Sequence, residues 1–183
     1  RVHSADGLSD ALGQIGQQTA IAEAMVQFEA EFSVILARNA QGEIRFWDSP
    51  RNRHDGGILA LSVLPAGALI ETQQQEARKL AAAAAQALGY IGVMTMEFFA
   101  TAEGPLFNEM APRVHNSGHW TIEGAVTSQF ENHIRAICGL PLGSTARTGA
   151  RVEMRNLIGE TANGWPEIVN DPAAKLHLYG KTV

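Results

Sequence analysis

Two glutamates and the polar run that follows them are where this chain could do chemistry. The stretch Gly92-Val-Met-Thr-Met-Glu-Phe-Phe-Ala-Thr-Ala-Glu-Gly-Pro-Leu-Phe-Asn-Glu-Met-Ala-Pro112 reads as a β-hairpin, with Ala102-Glu103-Gly104 as a three-residue loop carrying glycine in the left-handed position. Centred on Glu103, antiparallel partners have numbers that sum to 206, which sets Glu97 opposite Glu109. Like charges directly opposite on a sheet are destabilising, and Met96, Phe98, Phe107 and Met110 make the surroundings apolar. Such a pair asks for a cation. Hard oxygen ligands suit Mg²⁺, which keeps several waters and takes further ligands from phosphate. Asn108, beside Glu109, could add a neutral oxygen. Two other readings stand: a solvated sheet face with both carboxylates in water, and a pair sharing one proton for acid–base work.

Immediately beyond lies Arg113-Val-His-Asn-Ser-Gly-His119, with five polar side chains in seven residues. A guanidinium holds an oxyanion through a bidentate fork. The backbone N–H groups at the start of the next helix add partial positive charge. Together they favour a small anion beside the metal, with His115 or His119 able to give or take a proton. His115 and His119 are four apart, a spacing that suits zinc on a helix, but Gly118 lies between them and no third soft ligand is near. The bland reading is a loop that caps the next helix and ties the hairpin down.

These groups need elements to hold them. Residues 4–16 read as a short helix closed by glycine, and 19–26 as an apolar extended stretch. Residues 31–38 alternate as a strand, Gln41-Gly42 turns, and 44–47 return as a second strand. Residues 48–57 read as a polar loop, and 58–64 as a strand stopped by Pro65. Ala77, Leu80, Ala81, Ala84 and Leu88 form one helical stripe, ended by Gly89. Ile122, Val126, Phe130, Ile134 and Ile137 form another, ended by Gly139-Leu140-Pro141. Strands at 91–101 and 106–111 lie between the two helices. After residue 141 a Gly, Ser, Thr and Ala-rich linker leads to expected strands at 151–158 and 175–179. Strands and helices mix without strict alternation, which favours an α+β fold.

Composition narrows the classes. The 183 residues are 45% hydrophobic and 18% charged, with a net charge of -5. That excludes a basic nucleic-acid coat and a polybasic membrane anchor. The one cysteine, Cys138, excludes an internal disulfide and fits a reducing, cytoplasmic setting. No apolar run is long enough for a membrane helix, and nothing at the start reads as a signal peptide. The chain opens on Arg1 rather than Met and reads like the middle of something longer.

The run Asn108-Glu-Met-Ala-Pro-Arg-Val-His-Asn-Ser-Gly-His-Trp120, continued by Glu123-Gly and Ser128-Gln-Phe-Glu131, resembles the ATP-dependent carboxyaminoimidazole ribonucleotide synthases of purine biosynthesis, a family of the ATP-grasp superfamily. The resemblance extends from about residue 1 to about residue 183 and includes Glu23-Ala-Met-Val26, Glu31-Phe-Ser-Val34 and Asn52-Arg-His-Asp-Gly-Gly-Ile58. It implies an ATP-grasp domain, an antiparallel sheet with packed helices, over 1–140, lacking its N-terminal side. A linker at 141–150 and the beginning of a small β-rich C-terminal domain at 151–183 would follow.

The same resemblance implies roles. Glu23 and the Val26 backbone would meet the adenine edge, Glu31 the ribose hydroxyls, and His54 the nucleotide. Glu97 and Glu109 would hold Mg²⁺ between the phosphates of ATP, with Asn108 assisting. Arg113, His115, Asn116 and Ser117 would face bicarbonate and aminoimidazole ribonucleotide, and Lys181 would open a segment reaching the ribonucleotide phosphate. Bicarbonate would attack the γ-phosphorus to give carboxyphosphate and ADP, and the exocyclic amine would capture the carboxyl group. A homodimer is expected, with no nucleic acid or membrane partner. The family's phosphate-binding lysines and glycine-rich flap have no counterpart here, and Met25 stands where an aromatic residue is common. A fragment, inactive alone, is therefore expected. The alternatives are another ATP-grasp carboxylate–amine ligase and a non-catalytic nucleotide-binding module.

Overall fold

The computed structural model describes residues 2, 4, 7–16 and 18–180. Strands β1 (Ala30–Arg38), β2 (Ile44–Phe46), β3 (Arg51–Asp55), β4 (Ile58–Leu64), β5 (Gly92–Thr101), β6 (Gly104–Ala111) and β7 (Val152–Arg155) form one antiparallel sheet. Its order is β6-β5-β1-β3-β4-β7, with β2 also paired to β1. Helices α1 (Gly7–Ile15), α2 (Ala68–Ala87), α3 (Thr121–Gly124), α4 (Gln129–Ile137) and α5 (Trp165–Ile168) complete the regular structure, apart from short 3₁₀ turns. The fold is α+β, as expected.

The sheet is covered on both faces, which explains why β1 is apolar nearly throughout. Phe32, Val34 and Leu36 point one way, with Met94, Met96 and Phe98 of β5, and pack under α2. The helix meets them with Ile70, Ala77, Ala81 and Ala85, whose small side chains let it lie close to the sheet. The alanine run serves this contact. Leu80 and Leu88 of the expected stripe are instead 46% and 60% exposed. On the opposite face Ile35, Ala37 and Val93 pack with Trp47, Trp120, Ala125 and Ala136, beneath α3 and α4.

Several expectations need correction. Residues 51–55, expected within a polar loop, are β3, a strand inside the sheet. No strand forms at 19–26 or 175–179. The strand expected over 151–158 shortens to Val152–Arg155 and joins this sheet beside β4.

The second helix is two helices. Gly124 ends the first turn where a Cβ would strike Val152 and Trp120, and Ala125 is extended. Ser128 then starts a new helix by accepting the Glu131 N–H at 3.1 Å, half of a capping box. The apolar stripe expected to face the core faces outward: Val126, Ile134 and Ile137 are 61%, 54% and 53% exposed. The buried side of α4 is Gln129, Asn132 and Ala136.

Candidate active site

The face of the sheet under α3 and α4 changes character along its strands. Toward one end β1 presents Ile35 and Ala37; toward the other it presents Ser33 and Glu31. A polar ladder crosses three strands there. Asn52 of β3 donates to the Ser33 hydroxyl at 2.6 Å, and the Ser62 hydroxyl of β4 donates to the Asn52 carbonyl at 2.8 Å. All three are buried, and each polar group finds a partner in its neighbour. Glu31 lies beyond Ser33, within 2.6 Å of His54 Nδ1.

Glu97 of β5 sits opposite Ser33 of β1 on one side and opposite Glu109 of β6 on the other. The expected pairing of the two acids is present, but it arises differently. The connection is a two-residue turn at Ala102-Glu103, with Thr101 opposite Gly104. That register alone would put Asn108 opposite Glu97. A β-bulge between the Phe98–Phe107 and Glu97–Glu109 pairs inserts Asn108 and brings Glu109 into line. It also separates the faces: Phe107 meets Phe98 on one side, while Glu109 joins Glu97 on the other.

Burial and charge fit a cation here. Glu97 is only 8% exposed. Burial pushes its carboxyl above the ordinary carboxylate range; His54 opposes this, while Glu109 and Glu31 reinforce it. Its Oε1 is buried with no hydrogen-bond donor. Among the described residues one group of three potential ligands stands close together, Glu97, Glu109 and His115, with ligand atoms within 4.8 Å of one another. His115 Nε2 lies 3.8 Å from Glu97 Oε1. The other ring nitrogen, Nδ1, accepts the Ser117 N–H at 3.3 Å and lies 2.9 Å from the Ser117 hydroxyl. A neutral ring held that way carries its hydrogen on Nε2 and points it at the acids. Burial, helped by Arg113, lowers the His115 pKa and keeps the ring neutral, against an opposing pull from Glu109. The two carboxylates supply the hard oxygen donors that suit Mg²⁺.

A cleft of about 1260 Å³ opens over this end of the sheet. It gathers Glu31, His54, Glu97, Asn108, Glu109, His115 and Asn116 from the expected set. Arg113 is exposed and does not line the cleft; its Nη1 donates to the Val114 carbonyl at 3.0 Å. Ser117 is fully buried behind His115, so it orients the imidazole and presents nothing to the cleft. Glu23 and Val26 lie on the irregular 19–28 stretch and do not line the cleft. Lys181 lies outside the described residues. His119 turns away and stacks on Phe130 at 5.5 Å, so no zinc pair forms with His115.

Sequence reasoning missed β3. Arg51, Asn52 and Arg53 line the cleft beside His54. Gly56 and Gly57 make the turn into β4, both at positive φ (60° and 83°), as a tight hairpin requires. Asp55-Gly56-Gly57 before an apolar strand was the available signal that another strand precedes it.

Comparison with known proteins agrees with this geometry. The ATP-grasp domain family matches residues 1–130. The N5-carboxyaminoimidazole ribonucleotide synthase of Brucella melitensis is 47% identical over 173 residues, covering 94% of this chain and 47% of that protein. The crystal structure of N5-carboxyaminoimidazole ribonucleotide synthetase from Thermus thermophilus superposes with a TM-score of 0.89 at 48% identity, over 98% of this chain and 49% of that one. The Aspergillus clavatus N5-carboxyaminoimidazole synthase, solved with ADP and 5-aminoimidazole ribonucleotide, gives a TM-score of 0.92 at 31% identity, over 99% of this chain and 50% of that one. The chain thus spans about half the length of the relatives it matches. With an antiparallel sheet, an opposed acid pair at the cleft and a family match over residues 1–130, the chain belongs to the ATP-grasp family.

Proposed function

We propose that the intact protein carboxylates the exocyclic amine of aminoimidazole ribonucleotide, using ATP and bicarbonate, in purine biosynthesis. The observation that carries this reading is the buried Glu97 carboxylate, opposite Glu109 and short of a partner, with the Arg113–Ser117 loop beside it. The relatives named above support the choice of substrate.

Glu97 and Glu109 would hold Mg²⁺, with the Asn108 amide adjoining. Bound there, the ion would offset the charge of the ATP phosphates, as phosphoryl transfer requires. Glu31 and His54, joined to each other, line the same cleft and are assigned to the nucleotide. Glu23 and the Val26 backbone are assigned to the adenine edge on the resemblance. Arg113 supplies a fixed positive charge for bicarbonate and for the carboxyphosphate formed when bicarbonate takes the γ-phosphoryl group. His115 holds a proton on Nε2, facing the cleft, where it donates to an oxyanion. Asn116 presents a neutral amide beside it. Transfer of the carboxyl group to the amine then releases phosphate. Lys181 is assigned to the ribonucleotide phosphate. We further propose a cytoplasmic homodimer, an ATP-grasp portion at 1–140, a linker at 141–150 whose Leu142 packs into the core, and the start of a C-terminal domain from 151 whose first strand, β7, is shared with the ATP-grasp sheet beside β4. No helix among the described residues is long and apolar enough to cross a membrane.

The test is ATP turnover by the intact protein with aminoimidazole ribonucleotide and bicarbonate, against a panel of other amines. Turnover that ignores the ribonucleotide, or prefers another amine, would overturn the substrate assignment. Turnover that survives Glu97→Gln and Glu109→Gln would remove the metal ligands.

A further inference from the structure

We propose that Gln129 is a positioning residue that aims His115 into the cleft; this rests on reading the cleft as the active site. Gln129 is the first residue of α4 and is fully buried, an unusual place for a carboxamide in a short helix with an apolar stripe elsewhere. Its Oε1 accepts the His115 backbone N–H at 3.0 Å, and its Nε2 donates to the His115 carbonyl at 2.7 Å. Gripping the N–H and C=O of one residue fixes the peptide planes on both sides of its Cα. The direction of its Cα–Cβ bond is then fixed as well. Ser117 sets the rotation of the ring through Nδ1. Two independent holds therefore carry Nε2 to its place 3.8 Å from Glu97 Oε1.

The grip is itself held. The Thr121 hydroxyl accepts the Gln129 backbone N–H at 2.9 Å and donates to the Gly118 carbonyl at 2.6 Å. Gly118 lies against the carboxamide so closely that a Cβ there would overlap it. Thr121, Ser117 and Gln129 are all fully buried, which shields these bonds from water. Only glutamine offers a donor and an acceptor at this reach. Glutamate keeps the acceptor alone, and leucine keeps neither.

NMR of this chain tests the inference without nucleotide or substrate. In the unaltered chain the His115 ring ¹⁵N shifts should report hydrogen on Nε2, with a protected backbone N–H. In Gln129→Leu the ring should become a mixture of tautomers, and exchange at the His115 N–H should speed by about tenfold or more, the factor expected when a buried hydrogen bond is lost. Gln129→Glu, which keeps volume and one bond, should fall between. Gly118→Ala, which displaces the carboxamide, should reproduce the leucine signature. A folded Gln129→Leu with unchanged tautomer and unchanged exchange would overturn the proposal. If that variant does not fold, the same null result in Gln129→Glu and Gly118→Ala would overturn it. An intact protein that turns over no ATP with the ribonucleotide and bicarbonate, beside a chain that shows the expected signatures, would sink the functional reading and leave the positioning role intact.

Discussion

Ile35 and Glu31 lie on one strand and one face, four residues apart, yet serve opposite ends. Ile35 is covered by α3 and α4 and contributes transfer free energy and packing. Glu31 lies past the edge of that cover, facing the cleft with Glu97 and His54. The same contrast repeats on β5, where Val93 is core and Glu97 is site. One rigid strand thus carries both the anchor and the chemistry, and the helices decide by their extent where one becomes the other. Stability gathered at the covered end holds charges close together at the open end, where they would otherwise push the strands apart.

This contrast can be broken from either side. The largest effect should come from the covered end: Ile35→Ala should cost about 2–5 kcal/mol in denaturant unfolding, the range for emptying a full core position. At the open end, Glu97→Gln in the intact protein should lower Mg²⁺-dependent nucleotide turnover by roughly 100-fold or more, with the fold kept. The same substitution should stabilise the metal-free chain by about 1 kcal/mol at neutral pH, or roughly 3 °C in Tm. The sign follows from the raised pKa of Glu97. Its folded value lies above its unfolded value, so stability rises as pH falls from neutrality toward the ordinary carboxylate range and is lost as pH rises. Urea titrations across that window should show the slope in the unaltered chain and a flatter one in Glu97→Gln. Smallest of all, Ile134→Ala on the outer side of α4 should change stability by no more than about 0.5 kcal/mol. A loss of several kcal/mol would mean that the stripe is buried after all.

That last residue shows where the sequence misleads. The spacing of Phe130, Ile134 and Ile137 is a sound helical period, and a helix forms. It turns its other side inward because the neighbouring loops need partners. Gln129 binds the His115 peptide, Asn132 binds the Gly143 peptide through both groups, and His133 Nδ1 accepts the Val93 N–H at 3.0 Å. A polar inner side of this kind is invisible to hydrophobic periodicity. The third strand failed for a related reason: Arg51-Asn52-Arg53-His54 has no apolar alternation, since its inward residues meet serines and acids. The strands with apolar inner residues, β1, β4 and β5, were legible nearly to their ends. The acid pair was legible too, although the three-residue loop inferred for it is a two-residue turn corrected by Asn108.

That insertion gives the hairpin spare length. Because β6 carries one amino acid more than its partner between the two matched pairs, excising Asn108 should leave Phe107 across from Phe98 and Glu109 across from Glu97, with no side chain changing sides. Elsewhere in the hairpin the loss of a single residue would invert everything beyond it. A deletion mutant at this one position therefore separates what the opposed carboxylates do by themselves from what the adjoining amide and the local kink add.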